Sequence, residues 1–258
     1  MAKLFDFQLV FTQIPSLLAY LPITLELAIL STVLGFLLGT LIAIVKIRKV
    51  RVLDRIATVF ISIVRGTPIL VQLYIAYFGI PMFIKFINRQ TGNDLNVALV
   101  PGIVYAMAAL AINQSAFDAE IIRAALLSVN SGQIEAAESL GMTYSQALRR
   151  IILPEALTVA LPSLGNAFIN AIKGTSLAFT CGVVEMTAQG KILSGRNYRY
   201  FEVYVSLAII YWVLTVIIEQ LIKLFERKTS IPDQVELYEP SKESVDPAVT
   251  AVVTKEGA

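Results

Sequence analysis

Long runs without a charged side chain alternate with short polar connections along this chain. Leu27–Val45, Gly66–Ile84 and Leu95–Phe117 contain no Asp, Glu, Lys or Arg, and each is close to or above the ~20 apolar residues that carry a helix across a bilayer. Ala156–Ile172 and Val203–Ile218 are shorter, and each extends through its flanks. In lipid only a helix satisfies its own backbone polar groups unless strands close into a barrel, and the alternation that barrel strands require is absent. The pattern predicts an all-α integral membrane protein with five transmembrane helices, near residues 17–45, 56–84, 95–123, 156–183 and 202–225.

The connection between the third and fourth spans, about residues 126–155, is longer, polar and rich in end signals for helices. It contains Glu135-Ala136-Ala137-Glu138-Ser139-Leu140-Gly141 and, further on, Ile152-Leu153-Pro154. Gly141 suits the left-handed position just past a helix C-terminus. Thr143-Tyr144-Ser145-Gln146 fits a capping box, with Thr143 as N-cap and Gln146 reaching back. Pro154, which lacks a backbone donor, is expected to end the second helix. These signals allow two readings, a structured cytoplasmic hairpin or a docking knob for another protein.

Composition agrees with a membrane protein and excludes several chemistries. The chain is 56% hydrophobic and 16% charged, with a mean hydropathy of +0.71, fewer charges than a soluble domain carries. With no His and one Cys, a His- or Cys-ligated metal site, a disulfide framework and His-based catalysis are excluded within one subunit. Cys181, in apolar surroundings, reads as a small packing residue. Residues 1–16 carry no trustworthy cleavage site and read as an extracytoplasmic segment. Eleven basic residues, from Lys46 to Lys228, flank one set of loops and six flank the other. That bias puts the N-terminus outside and the C-terminus, with the 126–155 loop, in the cytoplasm. Tyr211 and Trp212 lie inside the last span and read as packing residues. Residues 229–258, acidic and Pro-containing, read as a disordered cytoplasmic tail.

Arg65, Lys173 and Glu26 fall inside predicted spans, and Glu185 borders one. A charge at the bilayer centre costs ~2.5–3.5 kcal/mol by insertion scales, so each requires a partner, a cavity or a nearby interface. Arg65-Gly66-Thr67-Pro68 breaks a helix at membrane depth, which is tolerated only where protein or a water-filled cavity covers it. Lys173-Gly174-Thr175-Ser176-Leu177 is a second small, polar interruption. Two interrupted spans with opposite charges nearby fit a solute pathway. They equally fit ion pairs that hold helices together, Arg65 or Lys173 with Glu26 or Glu185. Asn113, Gln114 and Ser115 favour interhelical hydrogen bonds over pathway lining.

No Gly-x-x-x-x-Gly-Lys-Ser/Thr phosphate loop is present; the nearest string, Glu185 to Ile192, lacks the first Gly and the final hydroxyl residue. Energy for work against a gradient must therefore come from elsewhere. At this point Glu135-Ala136-Ala137 with Gly141 and Ile152-Leu153-Pro154 resembles the EAA loop of permease subunits of bacterial ABC importers. Ser128-Val129 with Gly132-Gln133, Arg65-Gly66-Thr67-Pro68, and Lys173 with Thr175-Ser176-Leu177 are similar to the polar amino acid branch, of histidine, glutamine and cystine type. The match runs from roughly residue 17 to 226 and departs at Gly174, usually acidic or polar in the family, and at Ala124-Ala125.

The resemblance implies a type I ABC importer permease fold over residues 17–228, in the bacterial inner membrane as a multi-pass protein. It implies a second permease subunit, homo- or heterodimeric, a cytoplasmic ABC ATPase that binds ATP and Mg, and an extracytoplasmic solute-binding protein. No cofactor on this chain and no nucleic-acid partner is implied. Glu135, Ala136, Ala137, Glu138, Gly141 and Pro154 become the ATPase-coupling residues. Arg65, Gly66, Thr67, Pro68, Lys173, Thr175, Ser176 and Glu185 become the substrate pathway. Arg65 and Glu185 would receive the carboxylate and ammonium of a free amino acid, cystine among the possibilities. The alternative is a stand-alone channel or an ion-coupled secondary carrier, which has no need of the capped loop. A membrane-embedded enzyme is disfavoured by the absence of His and the scatter of carboxylates.

Overall fold

The computed structural model describes residues 5–92, 96 and 99–229, and its regular elements there are helices. In chain order they are α1 (Phe7–Thr12) and α2 (Ile14–Leu18), then α3 (Leu21–Ile47) and α4 (Arg51–Gly66). Next come α5 (Ile69–Thr91), α6 (Gly102–Ser128) and the short α7 (Ser131–Ser139). The last described elements are α8 (Tyr144–Thr175), α9 (Met186–Asn197) and α10 (Tyr200–Thr229). Helices α3, α5, α8 and α10 are long and apolar enough to cross a membrane. The tail expected to be disordered lies, from residue 230 on, outside the described residues.

The centre of the molecule is the packing of α3 on α6. Ser31, Gly35, Gly39 and Ala43 recur every four residues on α3, so they share one face, and all are buried. A Cβ on Gly35 would fall 2.6 Å from Gln114 Cβ, and one on Gly39 would fall 2.9 Å from both Asp118 Cβ and the Ser115 carbonyl. Small side chains at this spacing let two backbones approach where no hydrophobic drive separates helix from lipid. The polar side of α6 is thereby turned inward. Gln114, Ser115 and Asp118 are buried, with Gln114 Nε2 donating to Asp118 Oδ1 at 3.0 Å. Helix α6 is the polar one because α3, α4, α5 and α8 all pack against it.

Several boundaries differ from those expected. The second span was expected at 56–84. Instead α4 ends at Gly66, and Thr67 and Pro68 are extended (ψ 142° and 139°) before α5 begins at Ile69. The break shifts the candidate span to Ile69–Thr91. Pro154 does not end a helix. Helix α8 runs from Tyr144 to Thr175 through a π turn at Leu148–Ile152, just ahead of the proline. A proline ring clashes with the carbonyl four residues back, here Arg150, inside that turn. The wider π spacing moves this carbonyl aside. The same device precedes Pro81, after the π turn Ile75–Gly79. Lys173-Gly174-Thr175-Ser176 likewise forms the end of α8 rather than an interruption within a span.

The N-terminal segment, for which no element was expected, forms α1 and α2. Asp6 caps α1, accepting from Gln8 N at 3.0 Å. Ser206 of α10 donates to Val10 O at 2.7 Å, which ties α1 to the last helix. Tyr211 packs in two core clusters, as a packing residue should. Trp212 does not: it is 68% exposed, because the next residue on a helix turns about 100° away from Tyr211.

Candidate functional site

Two features stand out, a capped polar helix at one end of the molecule and a cavity among α5, α6 and α8. The first is α7. Asn130 caps its start, accepting from Gly132 N at 2.8 Å. Its end is closed by Gly141 N donating to Glu138 O at 2.9 Å and Met142 N to Ala137 O at 3.0 Å. That pair of bonds is the Schellman arrangement, which requires a left-handed residue, and Gly141 has φ +80°. Thr143 and Gln146 form the expected capping box, with Thr143 N donating to Gln146 Oε1 at 2.8 Å.

This segment is attached along one side. Ala137 is buried, and Ile134 packs on the cluster of Ala125, Val129, Ile152, Ala156 and Ala160. Ala137 therefore anchors the helix and presents nothing outward. Glu135, Ala136, Glu138 and Gly141 are exposed. Leu140, 81% exposed, and Tyr144, 65% exposed, stand beside them. Sequence reasoning did not assign these two; for Leu140 the signal was an apolar residue at the C-cap of a polar helix. Pro154 is exposed within α8.

The second feature is a cavity of 450 Å³ lined by Ile69, Asn113, Gln114, Ser163, Asn166 and Asn170, with small residues including Gly174. Ser163, Asn166, Ala167, Asn170, Ala171 and Gly174 follow the three-and-four spacing of one helix face. That stripe was legible in the sequence and was overlooked. A second cavity of 360 Å³, lined by Arg65, Glu120 and Arg123, adjoins the first through the shared walls Phe117, Ile121 and Ser163.

The charges fall into two groups. The Arg65 guanidinium carbon lies 5.3 Å from the centroid of the Phe117 ring, within cation–π range. Glu120 is held by Lys46 at 3.3 Å and Arg123 at 2.7 Å. Arg65 thus stands as a cation on the cavity wall, whereas the carboxylate of Glu120 in the same lining is matched. None of the ion pairs among the described residues involves Arg65, Lys173, Glu26 or Glu185, so the expected helix-pairing bridges are not formed. Lys173 and Glu26 are exposed. Of the expected interhelical bonds, Asn113 makes one, to Gln72 of α5 at 3.0 Å. Gln114 and Ser115 bond within α6.

Glu185 does not share the Arg65 cavity. It is fully buried as N-cap of α9, accepting from Ala188 N at 2.8 Å and Thr187 N at 2.9 Å, with the Tyr211 hydroxyl donating at 3.3 Å. Thr24 of α3 accepts from Met186 N at 3.3 Å, so one buried polar cluster joins α3, α9 and α10. Thr175 is also fully buried, its hydroxyl donating to Ile172 O at 2.7 Å. Replacing Glu185 by Ala removes both cap bonds, at a cost of about 1–2 kcal/mol. A fall in Tm of roughly 3–8 °C for purified protein in detergent is expected. An unchanged Tm would show that the cap is not what Glu185 contributes.

Gly66 and Gly174 have space around them. A Cβ at Gly66 meets nothing within 4 Å, and one at Gly174 meets only Leu110 Cδ2 at 3.8 Å. Thr67 Oγ1 donates to Ile63 O at 2.9 Å, and Ser176 Oγ donates to Lys173 O at 2.6 Å. Both hydroxyls satisfy helix ends.

Comparison with known proteins bears on both features. Residues 14–231 match the family described as binding-protein-dependent transport system inner membrane component. The chain is 44% identical over 227 residues to the probable amino-acid permease protein YxeN of Bacillus subtilis (strain 168), covering 88% of this chain and 97% of that protein. It is 40% identical over 228 residues to the L-cystine transport system permease protein TcyL of the same organism, covering 88% and 93%. Among solved structures, a crystal structure of an amino acid ABC transporter with histidines superposes with a TM-score of 0.73. Its sequence identity is 38%, with 87% of this chain and 99% of that chain covered.

Proposed function

The chain belongs to the binding-protein-dependent transport system inner membrane component family, and on that premise we propose that a separate ATPase drives a free amino acid through the cavity among α5, α6 and α8. The protein is a multi-pass membrane permease subunit of an amino-acid ABC importer. The observation that carries the mechanism is the 450 Å³ cavity with amides on two helices, one of which, α6, runs directly into the exposed α7. A stand-alone channel or ion-coupled carrier is not favoured, since neither needs α7 capped at both ends.

In this reading α6 is the fifth crossing. Its 27 residues span roughly 40 Å at 1.5 Å each, more than the ~30 Å hydrocarbon layer. Its polar residues are shielded by the helices around it. The N-terminus lies outside and α7 in the cytoplasm, following the basic loops. Glu135, Ala136, Glu138, Leu140, Gly141 and Tyr144 form the surface that a cytoplasmic ATPase grips, with ATP and Mg held by that partner. A second permease subunit completes the passage, and an extracytoplasmic binding protein delivers the solute. ATPase closure moves α7 and, through α6 and α8, the cavity walls.

The solute is an amino acid with an uncharged side chain. The residues lining the 450 Å³ cavity carry amides and a hydroxyl but no charge, so a charged side chain would be desolvated there without a partner. Arg65, in the adjoining cavity, receives the α-carboxylate; Glu185, buried in its cap, is not the ammonium partner. The test is uptake by proteoliposomes holding this protein, its ATPase and its binding protein. Uptake should require ATP, and uptake by this chain alone without ATP would overturn the reading. In the same vesicles Gly174→Asp, which adds a carboxylate where there is room, should weaken competition by neutral amino acids about tenfold relative to cationic ones, a shift of about 1.4 kcal/mol. An unchanged ranking would remove the cavity from the solute's path.

A further inference from the structure

The side chain of Gln72 serves two helices at once. In an unbroken helix the N–H of residue 68 would donate to the carbonyl of residue 64, and Pro68 has no N–H to give. Gln72 Nε2 stands 2.7 Å from that Val64 carbonyl. It also lies 3.1 Å from the Thr67 carbonyl and 2.8 Å from the Thr67 hydroxyl. One side-chain amide thus replaces the backbone donor that the proline removed. The opposite end of the same amide, Oε1, accepts from Asn113 Nδ2 of α6 at 3.0 Å. Asn113 is itself part of the cavity wall.

We propose that Gln72 is a positioning residue, a latch that holds the Arg65–Pro68 break in register with α6 and passes movement of α6 to the cavity wall. The inference rests on the reading of that cavity as the solute's passage. Helix α6 continues from Asn113 to Ser128, and α7 begins at Ser131, so a displacement of α7 reaches Asn113 along one rigid element. The extended pair Thr67 and Pro68 is the one non-helical step between α4 and α5, and it can hinge. Arg65 lies on one side of this step and Ile69 on the other, each on the wall of one of the adjoining cavities. A shift of α6 pulls on Gln72 Oε1, and the pull arrives at the last turn of α4 through Val64 O. A solute that engages the Asn113 amide acts on the same hydrogen bond from the cavity side. Solute occupancy and ATPase position therefore meet at a single contact.

The experiment uses the full transporter in proteoliposomes, with uptake and ATP hydrolysis measured on the same vesicles. Gln72→Met keeps the volume and removes the hydrogen bonds to the break and to Asn113. Uptake per ATP should fall about fivefold or more, the usual scale of a coupling between sites, with apparent KM held within about twofold. Asn170→Ala, on the cavity but away from the break, should do the reverse, raising KM and leaving uptake per ATP intact. The double variant Gln72→Met/Asn113→Ala should lose no more coupling than the more affected of Gln72→Met and Asn113→Ala alone, because each breaks the same Gln72–Asn113 bond. If Gln72→Met lowers uptake and hydrolysis in equal proportion, or the double variant shows additive loss, Gln72 only supports the fold and the latch is overturned. An unchanged KM in Asn170→Ala overturns the cavity reading instead, whatever Gln72→Met does.

Discussion

Replacing Gly141 by valine is expected to lower coupled transport by roughly tenfold or more while leaving the protein in the membrane. Gly141 has φ +80°, and a Cβ there would meet no atom within 4 Å. The penalty is therefore one of backbone conformation, about 1–2 kcal/mol for an ordinary residue and greater for a β-branched one. The helix that it closes, α7, has nine residues, well below the roughly 12–15 at which an isolated helix becomes even marginal. It is held by Ala137, Ile134 and its two end motifs, so losing the Schellman bonds frees the final turn. Leu140 and Tyr144 then lose their fixed positions beside Glu135 and Glu138. A loss of about 2 kcal/mol lowers the population of the docked state more than tenfold. Co-purification of the ATPase and ATP-dependent uptake should fall together by that factor. Gly141→Asn is the control, since Asn adopts the left-handed conformation at small cost and should keep most of both. Equal losses in the two variants would mean that something other than this conformation matters at the position.

Substituting leucine for Gly39 is expected to prevent stable folding. The added Cβ would lie 2.9 Å from Asp118 Cβ, 2.9 Å from Ser115 O and 3.0 Å from Ala119 N. Two of those three atoms belong to the α6 backbone and cannot rotate away. Helices α3 and α6 would have to separate, at about 1–3 kcal/mol or more for overpacking. Separation would also bring the buried Gln114–Asp118 pair towards lipid, where a carboxylate is expensive. The variant should accumulate poorly and run as aggregate on size exclusion in detergent. Gly66→Ala, which meets open space, should accumulate and migrate like the wild type. Normal behaviour of Gly39→Leu would show that α3 and α6 are not packed as closely as the stripe from Ser31 to Ala43 requires.

What could be read in advance followed from how local each signal is. The bonds made by Gly141 and by the Thr143–Gln146 box join residues only a few positions apart in sequence, so the C-terminal cap of α7 and the N-terminal cap of α8 were legible. The break at Gly66–Pro68 was legible for the same reason, since a missing N–H is a property of proline itself. Its repair was not, because Gln72 reaches back eight residues to Val64 and across to another helix at Asn113. Pro154 misled because the π turn before it depends on how α8 packs, which nothing in Ile152-Leu153-Pro154 specifies. Glu185 misled in the same manner: a carboxylate among apolar residues looked like a solute ligand and serves as the cap of α9.

The chain's own pattern determined that it is a helical membrane protein, where along the chain its polar loop falls, and that Gly141 and the Thr143–Gln146 box close helix ends within it. Hydrophobic length and helix-end chemistry act over a few neighbouring residues, and the sequence carries them directly. Only the tertiary structure decided which polar groups face one another. It turned Asn113 and Asn170 towards a common cavity and set Arg65 on the wall of the adjoining one, while enclosing Glu185 and Thr175 in a buried cluster. Inside a bilayer a polar side chain must find a partner or a cavity, and which of the two it finds depends on helices distant in sequence meeting at the spacing their small residues allow.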